Sequence, residues 1–180
     1  GRDPGGKEDT GPNAGVPFIG PAGKLLKELI ISVGIPLDIC AFDNLVHCHT
    51  PKDRGPKAEE VRACQVWNQR VVDAVRPEIV VLLGQEALEA YTNPNAYNPK
   101  KPRYKLADTL EIEWAGIGPR VVAAYHPSAG LRNGMSRRKL VGALHYVREL
   151  LGIPSREPCD MVALEVLEVG DIPLDRPVAV

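Results

Sequence analysis

Two apolar runs constrain this chain more than anything else in it. "EIVVLLG" at 78–84 and "RVVAAYH" at 120–126 are nearly unbroken apolar segments of strand length. A strand resting one face on a core alternates apolar with polar residues, whereas a run without alternation suits a strand covered on both faces. The neighbouring segments supply the cover. Residues 21–33 set Leu25, Leu26, Leu29, Ile30 and Val33 at helical spacing, with Gly34 as the stop. Residues 57–75 do the same with Val61, Cys64, Val71, Val72 and Val75, and Pro77 closes them. Further helices are expected over 84–91 and 136–151, and shorter strands over 41–48, 110–115 and 120–125. Strands alternating with helices predict an α/β fold, a three-layer α/β/α sandwich around a central, largely parallel sheet. In such a sheet, ligands sit at the carboxyl ends of the strands, and His126 is at one of those ends.

A chain of 180 residues suits one domain. We assign it to residues 1–152, followed by an extension over 153–180 in which only 161–169 alternates like a strand. The opening "GRDPGGKED" is a Gly/Pro loop with no strand before it, which reads as a sheet whose first strand lies upstream. Glycine and proline number 17 each, about one residue in five together, so long shaped loops are expected. The net charge of -1 gives no sign of a nucleic-acid partner by itself. Two local clusters carry that case: Lys100, Lys101, Arg103 and Lys105, and then Arg132, Arg137, Arg138 and Lys139 directly after the histidine. A charge run is more often a solvated face, but the second adjoins His126. No apolar run approaches the ~20 residues of a membrane span, and no charged-then-apolar leader opens the chain. A soluble, cytoplasmic monomer without a membrane partner is the expectation. Four irregularly spaced cysteines favour metal binding or burial over a disulfide framework.

Four loops beside strand ends stand out: "GRDPG" at 1–5, "VPFIGPAG" at 16–23, "DNLVHC" at 43–48 and "HPSAGLR" at 126–132. In this order they resemble the motifs of the uracil-DNA glycosylase superfamily, specifically the iron–sulfur-containing family 4 enzymes, from Gly1 to about Leu151. The resemblance implies cleavage of the bond between uracil and deoxyribose in single- or double-stranded DNA, leaving an abasic site. An enzyme of that kind flips the nucleotide out of the stack, reads its edge and stabilises the departing anion. Phe18 would be the stacking ring, although a core plug is the plainer reading of a lone phenylalanine. Asn44 would read the uracil edge, because a carboxamide donates to O4 while accepting from N3–H; an Asn at this place is otherwise a turn or cap residue. His126 would donate to uracil O2, as imidazole or as imidazolium. The DNA-binding loop from Ser128 to Arg132 would enter the minor groove, with Leu131 as the wedge and Arg132 near phosphate.

The first motif departs from the pattern. Arg2 stands where family 4 typically has Glu, and Asp3 where a small residue is common. Arg2 and Gly5 are assigned to the substrate side of the site. Asp3 is assigned to orienting water, the alternative being an Asp-Pro turn. The loop between Gly5 and Phe18 is also longer than usual. Cys48 and Cys64, with fifteen residues between them, resemble the second pair of ligands to a [4Fe–4S] cluster, which takes four thiolates. The other two are expected upstream, since Cys40 and Cys159 do not stand where they belong; loss of the cluster, with both cysteines buried, is the competing reading. Zinc at "HCH", 47–49, ranks low because adjacent residues of a strand face opposite sides. A nucleic-acid-binding or polymerase-associated module without catalysis is the alternative function, favoured by Arg2. Relatives that bond covalently to DNA carry an extra histidine between the positions of Gly84 and His126, and this chain has none there.

Overall fold

Backbone pairing joins the two apolar runs directly. In the computed structural model, which describes residues 1–154 apart from 11, 13, 94, 95, 99, 102–104, 107–109 and 113–118, strand β1 (Ile79–Leu83) lies parallel to β3 (Arg120–Ala124). The register runs from Ile79 opposite Arg120 to Leu83 opposite Ala124. Strand β2 (Leu110–Ile112) pairs antiparallel on the other side of β3, so the described sheet has the order β1-β3-β2. Parallel strands need a crossover connection. Helix α4 (Gln85–Thr92) and β2 both fall within the stretch that links β1 to β3.

The period-two alternation of strand side chains divides the apolar runs between two cores. Leu82, Val121 and Ala123 face one way and pack with Ala87 and Leu88 of α4. Leu83, Val122 and Ala124 face the other, against helices α2 (Pro21–Ser32) and α6 (Gly134–Leu150). The expected cover on both faces is therefore present, and the fold is α/β. A third cluster joins Val46, Val61 of α3 (Ala58–Val75), Ala90 of α4 and Tyr97.

The helices follow their sequence signals closely. Pro21 opens α2 at a position where a missing N–H costs nothing, and Gly34 (φ +89°) turns the chain after Val33. Lys57 caps α3, with the Glu60 carboxylate accepting its N–H at 2.7 Å. Asn133 caps α6 by accepting from the Met135 N–H at 2.8 Å. Among the described residues no helix is long and apolar enough to cross a membrane.

Two expectations are corrected. Residues 41–48 are not a strand: the Leu45 N–H donates to the Gly1 carbonyl and the Val46 N–H to the Arg2 carbonyl, without a ladder partner among the described residues. A strand exists only through its neighbour, and here the backbone bonds to an irregular segment instead. Residues 127–132 are not an open loop but a short helix, α5 (Pro127–Arg132), with Pro127 at its first position and His126 as its cap. The expected strand 110–115 is formed at Leu110–Ile112, and its remainder lies outside the described residues. So do the turn at 116–118, Arg103, Cys159 and, within the 153–180 extension, the alternating segment at 161–169. The short helix α1 (Gly6–Asp9) was not foreseen.

Candidate active site

His126 is reached directly from the end of β3, beside the end of β1. Gly84 adopts φ +96° there, and a Cβ built on it would lie 3.1 Å from the His126 Cβ, so this approach needs glycine. The Ser128 backbone N–H donates to His126 Nδ1 at 3.2 Å, and the Ser128 hydroxyl lies 2.7 Å from the same nitrogen. A backbone N–H only donates, so Nδ1 carries no proton and the hydrogen of the neutral ring is on Nε2. Burial foremost, then the Arg2 guanidinium, with Arg132 adding to it and Asp3 opposing, lowers the His126 pKa to about 4. The ring is therefore a neutral Nε2–H donor at pH 7. Of the two forms left open by the sequence, the structure selects imidazole.

Phe18 lies with its ring centroid 6.5 Å from that of His126 and 5.7 Å from that of Phe42. It is only 6% exposed and belongs to the larger core, so it is packed as a core residue while its ring borders the site. Its backbone is left-handed (φ +58°), unusual for an aromatic residue. Gly23 makes this possible, because a Cβ there would fall on the Phe18 carbonyl. The Glu8 carboxylate completes the hold, accepting the Ile19 N–H at 3.0 Å and the Gly20 N–H at 3.3 Å.

Asn44 is the neighbour of this ring through Gly1. A Cβ on Gly1 would come 2.8 Å from Phe18 Cζ and closer still to Asn44 Oδ1. Asn44 is 6% exposed, yet its carboxamide makes no hydrogen bond to another described residue. Among the described residues the enclosed side-chain N and O atoms without a partner are Tyr97 Oη and Arg148 Nε, so the Asn44 amide is in reach of solvent, and of a ligand.

Arg2 and Asp3 pair with one another through Nε and Oδ1. Asp3 Oδ2 accepts from the Thr50 hydroxyl at 2.7 Å and from its N–H at 3.4 Å. The Asp3 side chain is 5% exposed and anchored on both oxygens; Oδ2 accepts twice, and Oδ1, which accepts only from Arg2, keeps a lone pair for a water. Gly5 stands apart. It is exposed at the start of α1, its N–H donates to Glu8 Oε2 at 3.3 Å, and nothing lies within 4 Å of where a side chain would project.

Beyond the histidine, Leu131 is exposed on α5 and Met135 on α6. Arg132, Arg137 and Arg138 are exposed around them, and Lys139 lies over the Tyr125 ring at 5.5 Å. Ser128 faces His126 through the bond already described. Cys48 is exposed, and Cys64 is half-buried against the Val46–Val61 cluster; both are free thiols, as is Cys40. Cys40 packs apart from them, against the α2 core, with its thiol donating to the Pro36 carbonyl. His47 meets Asp43 while His49 Nδ1 lies 2.8 Å from the Pro4 carbonyl, and no three His, Cys, Asp or Glu side chains form a metal site among the described residues.

Loop motifs and strand-end histidine stand together in one more respect. The family model of the uracil DNA glycosylase superfamily matches residues 1–148. The chain belongs to that superfamily. Within it, the chain is 32% identical to the type-4 uracil-DNA glycosylase of Archaeoglobus fulgidus, over 84% of this chain and 75% of that protein. The type-4 enzyme of Saccharolobus solfataricus is 31% identical over 84% and 69%, and that of Thermotoga maritima 35% over 74% and 65%. The residues that the sequence does not single out are Glu8, Asp43, Thr50 and Asn68, which hold the candidate site residues in place, Asp43 from within the 43–48 loop itself. Asn68 left a signal: it falls in the apolar stripe of α3 between Cys64 and Val71, where a polar side chain needs a partner on the facing element.

Proposed function

We propose that this protein is a monofunctional uracil-DNA glycosylase of DNA repair, hydrolysing the N-glycosidic bond of deoxyuridine. One observation carries the reading: a neutral histidine with its Nε2–H as donor borders a phenylalanine ring, and that ring is next to a carboxamide that bonds to no other described residue. Phe18 stacks on the flipped base, Asn44 pairs with O4 and N3–H, and His126 donates to O2 as negative charge develops there. Asp3 holds the attacking water, its orientation fixed by Arg2 and Thr50. Arg2 contributes positive charge beside the departing anion, in place of the Glu typical of family 4. Leu131 enters the base stack while Arg132 meets phosphate, and Ser128 serves this DNA-facing helix by holding His126. These assignments favour catalysis over a mere binding module, which has no use for an oriented neutral donor.

Cys48 and Cys64 match a [4Fe–4S] cluster in chemistry and make up two of the four thiolates it takes. When bound, the cluster would supply a structural cross-link rather than a reacting group.

The test is release of uracil from a single-stranded oligonucleotide with one deoxyuridine, read as cleavage at the abasic site. Wild type should cleave, and His126→Ala should lose about 10²–10³-fold in rate, as for removal of one oxyanion donor. A folded protein that leaves uracil in place would defeat the reading in favour of the binding module.

A further inference from the structure

The carboxamide of Asn44 is aimed by a backbone that is gripped from both sides. Its N–H donates to Asp43 Oδ1 at 2.8 Å, and its carbonyl accepts from Asn68 Nδ2 at 2.8 Å. Asn68 Nδ2 also reaches Asp43 Oδ2 at 3.1 Å and lies 3.3 Å from His47 Nε2. An amide nitrogen has two hydrogens. Given to Asn44 and Asp43, they leave none for His47, whose Nε2 lies 3.0 Å from Asp43 Oδ1 and donates there. The network closes without a conflict: both Asp43 oxygens accept, and both Asn68 hydrogens are used.

Resting on the glycosylase reading, we infer that Asn68 and Asp43 are positioning residues that set recognition of the uracil edge by orienting Asn44. Neither belongs to the motif loops' reacting groups, and Asn68 comes from a different element, α3. It ties that helix to residues 43–44 across a segment without a strand ladder of its own. Without the clasp, the peptide of Asn44 keeps only its covalent neighbours and the adjoining bonds from Leu45 and Val46 to Gly1 and Arg2. The carboxamide then samples several rotamers, and the entropy of ordering it falls on base binding.

The experiment compares wild type with Asn68→Asp, which keeps the shape but has no donor hydrogens, and with Asp43→Asn as a second variant. Three quantities are read: uracil release, inhibition by free uracil, and affinity for abasic DNA. Both variants should lose about 10- to 100-fold in kcat/KM and in inhibition by uracil, as for loss of hydrogen bonds to a charged group, with abasic-DNA affinity unchanged. A general structural defect would weaken all three alike, and that outcome overturns the inference, as does retention of uracil inhibition within twofold of wild type. The side-chain NH2 signals of Asn44 give a readout independent of activity. Their order should fall in both variants; unchanged order overturns the inference, whereas an inactive wild type counts against the glycosylase reading alone.

Discussion

His126 illustrates how one backbone bond decides a chemical role. The Ser128 N–H at Nδ1 leaves the proton on Nε2, and a pKa of about 4 keeps the ring neutral throughout the range in which DNA is handled. The consequence for stability has a definite sign. An unfolded histidine takes a proton near pH 6.5, so as the pH falls from about 6.5 to 4 the unfolded chain binds a proton that the native state refuses, and stability declines. Nitrogen-detected NMR of His126 should show the Nε2–H tautomer at pH 7 and a midpoint near 4. A midpoint at or above 6.5, or a proton on Nδ1, would mean that imidazolium or the opposite tautomer faces the base. The sequence marked this residue, along with Phe18 and Asn44, because each stands in one of the motifs that resemble those of the superfamily. Tautomer and protonation were not legible there, since they depend on a hydrogen bond that exists only once Pro127 has started α5.

At the scale of elements, the site is held by close backbone approaches, some between neighbouring segments. The start of α2 presses against the Phe18 carbonyl, and only a residue without Cβ fits at position 23. Gly23→Ala should therefore push the Phe18 loop away from α2 and sharply lower both Tm and uracil release, whereas Gly142→Ala in α6, with nothing within 4 Å of the new methyl, should leave both near wild type. Thermal unfolding and the oligonucleotide assay would measure the pair, and equal behaviour of the two variants would sink the argument. Helices with a regular apolar stripe, such as 21–32 and 58–75, were legible to within a residue or two because burial of the stripe decides them. The segment 41–48 was not, because its β-like composition cannot report whether a neighbouring strand is there to pair with it. Asn68 was invisible as a site residue for a related reason: a single polar residue in a stripe indicates that a partner is needed without saying which one.

For the molecule as a whole, the net charge of -1 conceals a strong asymmetry. Arg132, Arg137 and Arg138 are exposed around Leu131 and Met135, on the side reached by the same short helix that His126 caps. Such a patch attracts a polyanion locally even though the chain is slightly acidic, and each phosphate contact releases counterions when DNA binds. For single-stranded DNA the slope of log affinity against log salt is about -0.7 per phosphate contact. If Arg137 and Arg138 each meet a phosphate, the double variant Arg137→Ala/Arg138→Ala should flatten that slope by about 1.4 and weaken binding at low salt. Its turnover at saturating DNA should stay near wild type, because neither arginine is among the groups assigned to the base. Changing Lys100 and Lys101, exposed elsewhere in the chain, should leave the slope unaltered. A slope changed by the lysine pair and not by the arginine pair would move the DNA path away from α5 and α6, and with it the wedge assignment of Leu131.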